Sequence, residues 1–279
     1  MRLLDYSSNV YSQTGEDGIL EKILETLPQT DKWCVEFGAW DGQHLSNTCN
    51  LIERRDYSAV LIEGSERRFL DLTRRHGKNG RVIAMNAFVG FTQSDGLDAL
   101  LSKTPIPREF DLLSIDIDGN DYHVWGAFGA YAPKVVCIEY NPTIPTELEF
   151  IQPADPAVSQ GSSLLALVKL GKQKGYELVA ATSLNAIFVR SQYFGIFGIS
   201  NNEPRALRED TASLTYVFAG YDGTIFHVGS NLVLWHGVTF SSRTRQLPKI
   251  FREYSGNFGP FRSLLFRWYR KLCKRLYPR

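Results

Sequence analysis

Two groups of residues in this 279-residue chain have the types and spacing for chemistry. The first is V-E-F-G-A-W-D-G, from Val35 to Gly42, followed by S-A-V-L-I-E-G, which ends on Glu63 and Gly64. A buried strand, a tight glycine loop, a helix and a second strand ending in a carboxylate make the layout of a nucleotide-type cofactor site. Gly38 lets backbone approach a ligand, and Glu63 can accept both hydroxyls of a ribose. The second group is Asp116, Asp118, Glu139 and Asn141, at the ends of the apolar runs S-I-D-I-D-G and C-I-E-Y-N. Ligands of open α/β sheets lie off the carboxyl ends of the strands, so these side chains should converge beside the glycine loop. Of these, Asp116, Glu139 and Asn141 form an all-oxygen donor set that suits a hard divalent cation such as Mg2+.

The loop argues against a dinucleotide. A pyrophosphate cradle wants three spaced glycines and no negative charge. Gly38 and Gly42 are present, the third glycine is missing, and Glu36 and Asp41 put two carboxylates at the cradle. Like charges in a partly dry site are strongly unfavourable. A cationic ligand with a ribose and no phosphate fits better, and S-adenosylmethionine is one. Glu36 or Asp41 would then meet its ammonium or a bound water, and Glu63 its ribose. Asn86 or Ala87, after the third strand, would pass the adenine, and Phe88 either stacks on that ring or is a core aromatic. Asp116 contacts either the methionine amino group or a metal.

Methyl transfer to a hydroxyl requires that the acceptor lose its proton. A metal can lower the hydroxyl pKa, or a side chain can take the proton. Asp116, Asp118 and His123 are the candidates, with His44 a further one. Against these roles, Asp118 to Asp121 could form a turn and helix cap, the role favoured for Asp121. Glu139 could pair with a lysine, and either histidine could be a surface residue.

These residues must be positioned by alternating elements. Short apolar runs predict strands at 33–38, 58–63, 81–86, 110–116, 134–140, 176–182 and 185–190. Helices are expected near 45–54, 65–76, 95–103, 121–129 and 161–174. This is an α/β chain with a doubly wound, Rossmann-like sheet. Only Ser183 and Leu184 separate the last two strands, so these must form an antiparallel hairpin. A mostly parallel sheet whose last strand is antiparallel is the methyltransferase arrangement. Four segments are expected: an N-terminal cap (1–30), a core (31–190), an accessory β-rich segment (191–248) and a basic amphipathic tail (249–279). The long stretch after the fifth strand, through Gln160 and Ser162, reads as an acceptor-side lid. Thr14 and Asp17 read as a variant capping box, or with Gln13 and Glu16 as part of a cover over the site.

The pieces S-Q-T-G-E-D-G, V-E-F-G-A-W-D-G, L-I-E-G-S-E-R-R-F, F-D-L-L-S-I-D-I-D-G-N-D-Y-H-V-W, V-V-C-I-E-Y-N and S-L-N-A-I-F-V occur in an order that resembles the FkbM-type methyltransferases. The resemblance covers roughly residues 11–190 and implies O-methylation of a sugar, glycan or polysaccharide intermediate. It also implies a role for Gln13, in the N-terminal motif. Ser114 and Asp118 stand where that family more often has lysine and glutamate. A nicotinamide-dependent oxidoreductase is the rival enzyme. A non-catalytic, membrane-associated interaction protein on a methyltransferase-like fold is the other alternative.

Composition is that of a soluble globular protein. No apolar run approaches membrane-spanning length and the first residues lack a signal-peptide core, which implies a cytoplasmic location. Cys34, Cys49, Cys137 and Cys273 have no zinc spacing and read as reduced thiols. The net charge of +1 hides an asymmetry: from Ser241 onward 11 Lys/Arg face one acidic residue, so the tail carries +10 and residues 1–240 carry −9. Leu264, Leu265, Trp268, Leu272 and Leu276 recur at helical spacing among arginines and lysines. That pattern suits a helix lying on an anionic membrane face, or one docked on the acidic body. No nucleic-acid motif is present.

Overall fold

The computed structural model describes residues 1–245 and 247–276. It divides into two compact units, Met1–Thr211 and Ala212–Arg279. The three final residues of the basic tail, 277–279, lie outside the described residues.

The first unit is built on seven strands: β1 (Trp33–Phe37), β2 (Ser58–Glu63), β3 (Val82–Asn86), β4 (Leu112–Ile115), β5 (Val135–Glu139), β6 (Tyr176–Ala181) and β7 (Asn185–Arg190). Their order across the sheet is β3-β2-β1-β4-β5-β7-β6. β1 to β5 pair in parallel, and β7 runs antiparallel to both β5 and β6. The mostly parallel sheet with a reversed last strand is therefore present, with β7 inserted between β5 and β6. The order reverses between β1 and β4, and in open α/β sheets ligands bind at the carboxyl ends of the strands at such a reversal.

Helices cover both faces, which is why the strands are continuous apolar runs rather than alternating ones. On one face, Val35, Phe37, Leu113, Ile115, Val136 and Ile138 pack with side chains of α4 (Leu97–Leu101), α5 (Asp121–Ala127) and α6 (Leu164–Gln173). On the other, Cys34, Leu61, Leu112 and Cys137 pack with α1 (Glu16–Thr26), α2 (Cys49–Arg54) and α3 (Glu66–His76). Cys34, Cys49 and Cys137 are buried free thiols. Short α7 (Ser191–Phe194) and α8 (Pro204–Leu207) complete this unit.

The second unit holds a three-stranded antiparallel sheet of β8 (Thr215–Ala219), β9 (Thr224–Gly229) and β12 (Arg243–Arg245), in the order β12-β9-β8. β10 (Leu232–Val233) pairs with β11 (Val238–Thr239), and α9 (Pro260–Leu276) ends the described chain. Only Leu214 and Phe251 are buried hydrophobics among the unit's described residues. No helix among the described residues is long and apolar enough to cross a membrane.

At the amino ends of the strands a buried charge is fully matched. The Asp111 carboxylate accepts from the Asp31 and Lys32 N–H groups and from Lys134 Nζ at 2.8 Å. Lys134 also reaches Asp31 at 2.9 Å. Burial lowers the Lys134 pKa, and the bonds to both aspartates more than offset this and raise it. Removing one partner would leave Asp111 charged and buried. Lys134→Ala should therefore cost about 3–5 kcal/mol of stability, measured by chemical denaturation, with cofactor affinity unchanged in the fraction still folded.

Candidate active site at the carboxyl ends of β1, β2, β4 and β5

β1 ends at Phe37, and the chain turns at Gly38 with φ of 75°. A Cβ at residue 38 would sit 1.8 Å from the Asp116 carbonyl oxygen. The glycine is thus required twice, by the left-handed backbone and by the close approach of the loop to the end of β4. Trp40 follows, also at positive φ (49°), with Arg68 stacked over its ring at 3.6 Å and His44 against its edge. Gly42 lies against the buried ring of His76, whose Nε2 is 3.1 Å from the Gly42 carbonyl.

The acidic residues here divide into two kinds. Some are braces. Glu63 accepts from the Trp40 N–H (2.9 Å) and the Ser65 N–H (2.7 Å), clipping the glycine loop to the end of β2. Each of its oxygens keeps an unused lone pair. Glu36 is buried and accepts from Ser46 Oγ, Thr48 Oγ1 and the Asn47 N–H at 2.6–2.8 Å. Burial pushes its carboxyl up, against those bonds. Asp41 accepts from the Gln43 and His44 N–H groups and lies 3.5 Å from Arg75. Burial alone would raise the Asp41 carboxyl, and these contacts reverse that and hold it low. The expectation of a free carboxylate for an ammonium is therefore corrected for Glu36, both of whose oxygens the following loop takes up, whereas the loop bonds to Asp41 fall on Oδ1 alone. Asp121, the first residue of α5, accepts from the Ile117 and Gly119 N–H groups, both at 2.9 Å, which closes the preceding turn without capping the helix.

The others are braced less, with Asp116 accepting from the Asp118 N–H. One carboxylate oxygen each from Asp116, Asp118 and Glu139 lies within 4.8 Å of the others. Asp118 reaches this group from a left-handed backbone, φ 56°, a strain that the two bonds of Asp121 hold in place. The groups acting on Glu139 besides burial are Asp116, Asp121 and Asp118, so it is not paired with a lysine. Burial first, then Asp121, Asp118 and Glu36, push the Asp116 carboxyl up to about 8, and Glu139 is pushed higher still. An unliganded site therefore holds on to protons near neutral pH. A cation entering it would be welcomed electrostatically.

Asn141 is not part of this group. Its Nδ2 donates to the Gln160 carbonyl (2.7 Å), and its Oδ1 accepts from the Thr143 N–H and Oγ1. The amide pins a loop and leaves no free oxygen for a metal, so its assignment as a metal ligand is corrected. His123 Nε2 donates to the Gln152 carbonyl at 2.8 Å, and its ring packs on Phe91 and Tyr122, so only Nδ1 is left to take a proton. The segment from Asn141 to Ser163 is fastened at many points rather than hanging as a free flap. Gln152 is its hub: Oε1 accepts from the Gln160 and Gly161 N–H groups, Nε2 donates to the Val158 carbonyl, and its N–H reaches Ser162 Oγ.

Asn86 Nδ2 and the Ala87 N–H both donate to the Glu63 carbonyl, joining the ends of β2 and β3. Phe88 is 82% exposed and its ring stands over Gly64, so it is not a core aromatic. In the N-terminal loop Asp17 accepts from the N–H groups of Val10, Tyr11 and Ser12. Glu16 accepts from Thr14, Thr182 and Asn185. No capping box joins Thr14 to Asp17. Asn185 lies opposite Glu139 in the β5–β7 register, so the loop carrying exposed Gln13 is tied to this same end of the sheet. Nothing in the pattern of residues singled out Gln152 or His76. The S-N-T triplet from Ser46, just past the loop, was the available signal for the Glu36 brace.

Among solved structures of similar fold, the N-terminal domain of EvdMO1 with SAH bound is 13% identical with a TM-score of 0.43, matching 64% of this chain to 82% of that one. An S-adenosylmethionine-dependent methyltransferase from Clostridium acetobutylicum is 10% identical with a TM-score of 0.40, matching 63% of this chain to 90% of that one. The CMeT domain of the citrinin polyketide synthase is 12% identical with a TM-score of 0.41; 63% of this chain matches 51% of it, so the chain spans about half that relative's length. At these identities and scores the likenesses bear on no step of the chemistry. No family model and no curated protein match the chain.

Replacing Gly38 by alanine forces a side chain onto the Asp116 carbonyl at a positive φ. The Gly38→Ala variant should lose about 1–3 kcal/mol of stability and bind S-adenosylhomocysteine at least tenfold more weakly, by denaturation and calorimetry. Wild-type affinity would show that the close approach does not shape the site.

Proposed function

We propose that this protein is an S-adenosylmethionine-dependent O-methyltransferase acting on a hydroxyl of a sugar, glycan or polysaccharide intermediate. The observation that carries the reading is the trio of carboxylates, half-buried Asp116 and Glu139 with exposed Asp118, directly beside the Gly38 turn. A diphosphate would add negative charge to a crowd of like charges. A phosphate-free, cationic nucleoside would relieve it. The same argument counts against a nicotinamide dinucleotide.

The chain's residues fit such a donor. Gly38 lets the loop after β1 close directly onto the end of β4, which sets the turn beside these carboxylates. Glu63 keeps a lone pair on each oxygen for ribose hydroxyls. The exposed ring of Phe88, over Gly64, offers a face for the adenine. Asp116 is placed for the ammonium or for the acceptor. When bound, the donor supplies an electrophilic methyl group on a sulfonium. The acceptor oxygen forms the new C–O bond as the S–C bond breaks, S-adenosylhomocysteine leaves, and the hydroxyl proton must go to the protein. Asp116 is the acceptor for that proton, since a raised carboxyl pKa near the working pH is efficient for the transfer, and Asp118 lies beside it as the second candidate. The FkbM-type resemblance of the motifs supports the sugar class of acceptor, and Gln13 sits in the loop tied to this edge.

The same carboxylates support a second reading, a divalent cation held by Asp116, Asp118 and Glu139. All-oxygen donors suit Mg2+, which would orient the hydroxyl and lower its pKa. Chelation separates the two: loss of turnover in EDTA, restored by Mg2+, supports the cation, and unchanged turnover supports the carboxylate as base.

Asp116→Asn should lower transfer of a labelled methyl group to a panel of sugar acceptors by about 100-fold or more, with the fold intact. Its stability should move the other way. The folded Asp116 carboxyl binds its proton up to about pH 8, whereas an unfolded aspartate loses it near ~4. Stability carried by the protonated form is thus lost as pH rises through that window. In chelator and without ligand, the variant should melt higher than the wild type near pH ~8.5, and the difference should shrink towards acid pH. Undiminished turnover in the variant would remove the site assignment.

A further inference from the structure

The helix α9 (Pro260–Leu276) has two apolar faces, and only one is used. Phe266 and Tyr269 pack onto Phe251 with ring centroids 5.2 and 5.4 Å away, and Phe266 meets Phe258 at 5.4 Å. Arg262, on the same side, bonds the Ile250 carbonyl and the Glu253 carboxylate. The second face carries Phe261, Leu264, Leu265, Trp268, Leu272 and Leu276, which are 39–74% exposed. At 3.6 residues per turn these six fall within an arc of about 120°. Arg275 falls just inside one edge of that arc, Lys271 just outside the same edge, and Arg267, Lys274 and Arg270 continue from it on that side. No acidic residue interrupts the helix. Lys271 Nζ lies 5.9 Å from the Trp268 ring, so the charged and apolar stripes adjoin.

A helix that merely closed its own unit would bury its leucines and show water its charges. Here the aromatic face does the closing, while the leucine and tryptophan face is turned outward. We propose that α9 lies in the surface of an anionic lipid bilayer, with the Leu264–Trp268–Leu272 face among the acyl chains and the basic border on the headgroups. Charge chooses this occupant over the others. Two copies of α9 packed face to face would bring their cationic borders together with nothing between them. A nucleic acid would satisfy the arginines and leave six large apolar side chains in water. An anionic bilayer satisfies both stripes at once, and each basic residue at its surface strengthens partition by about fivefold. This surface belongs to the second unit and does not depend on the methyl-transfer reading.

The test is sedimentation of the full-length protein with vesicles of phosphatidylcholine alone, and with a third of the lipid replaced by phosphatidylserine. The protein should pellet with the anionic vesicles, remain in solution with the neutral ones, and be released as salt is raised. Leu272→Glu should abolish pelleting, and Lys271→Glu with Lys274→Glu should weaken it by more than tenfold. Both variants should keep the wild-type circular dichroism spectrum and elute as the wild type does in gel filtration, which shows that they are folded and keeps this result separate from the fate of the proposed activity. Three results would overturn the proposal: no pelleting with anionic vesicles, Leu272→Glu pelleting like the wild type, or a dimer in solution that Leu272→Glu dissociates. Retention on RNA by a protein that ignores vesicles would overturn it too.

Discussion

The carbonyl oxygen of Asp116 occupies the space where any side chain at residue 38 would begin. That contact decides how close the loop after β1 comes to the end of β4. It brings the turn beside the crowded carboxylates of Asp116, Asp118 and Glu139. Everything else at this edge of the sheet either holds the contact in place or bears its electrostatic cost. The cost is real, since burial and mutual repulsion raise the pKa values of Asp116 and Glu139 far above the usual carboxylate range. Such a site is stable because two apolar cores flank the sheet. A positively charged ligand would offset that repulsion.

The distinction between fully braced and less braced acids organises the site. Glu36, Glu63, Asp17 and Asp121 each accept two or more bonds from backbone N–H or hydroxyl groups, so their charge is spent on fixing loops. Asp121 matters twice, because it holds Asp118 in the left-handed conformation that turns its carboxylate toward the group. Gln152 does for the long segment after β5 what Asp121 does for the shorter turn. Its amide closes the loop on itself, and its carbonyl accepts a hydrogen bond from His123 Nε2. What is less engaged is what can meet a ligand: Asp116, Asp118, Glu139, the outer lone pairs of Glu63 and the face of Phe88.

The sheet was legible because its strands are buried on both faces and read as short apolar runs, as in Val35–Phe37 and Val135–Ile138. The reversed β7 was legible from the brief gap at Ser183 and Leu184. The strand-end position of Asp116, Asp118 and Glu139 was legible for the same reason. What each polar group binds was not. Glu36 finds its partners at Ser46 to Thr48, and Asn141 finds its own at Gln160, and neither pairing leaves a mark in residue spacing. A buried glutamine such as Gln152 looks like any other before the chain folds. The two faces of α9 were read as one because its docked side uses Phe266 and Tyr269 against Phe251, an aromatic contact set outside the leucine repeat. The FkbM-type resemblance rests on the motifs alone, since no family model matches the chain.

Titration calorimetry of the purified protein with S-adenosylmethionine and, separately, with NAD addresses the central claim most directly. The account predicts saturable binding of the adenosyl donor at one site per chain and no heat of binding from the dinucleotide. Binding of NAD, or a flat titration with the adenosyl donor at millimolar concentration, would contradict it.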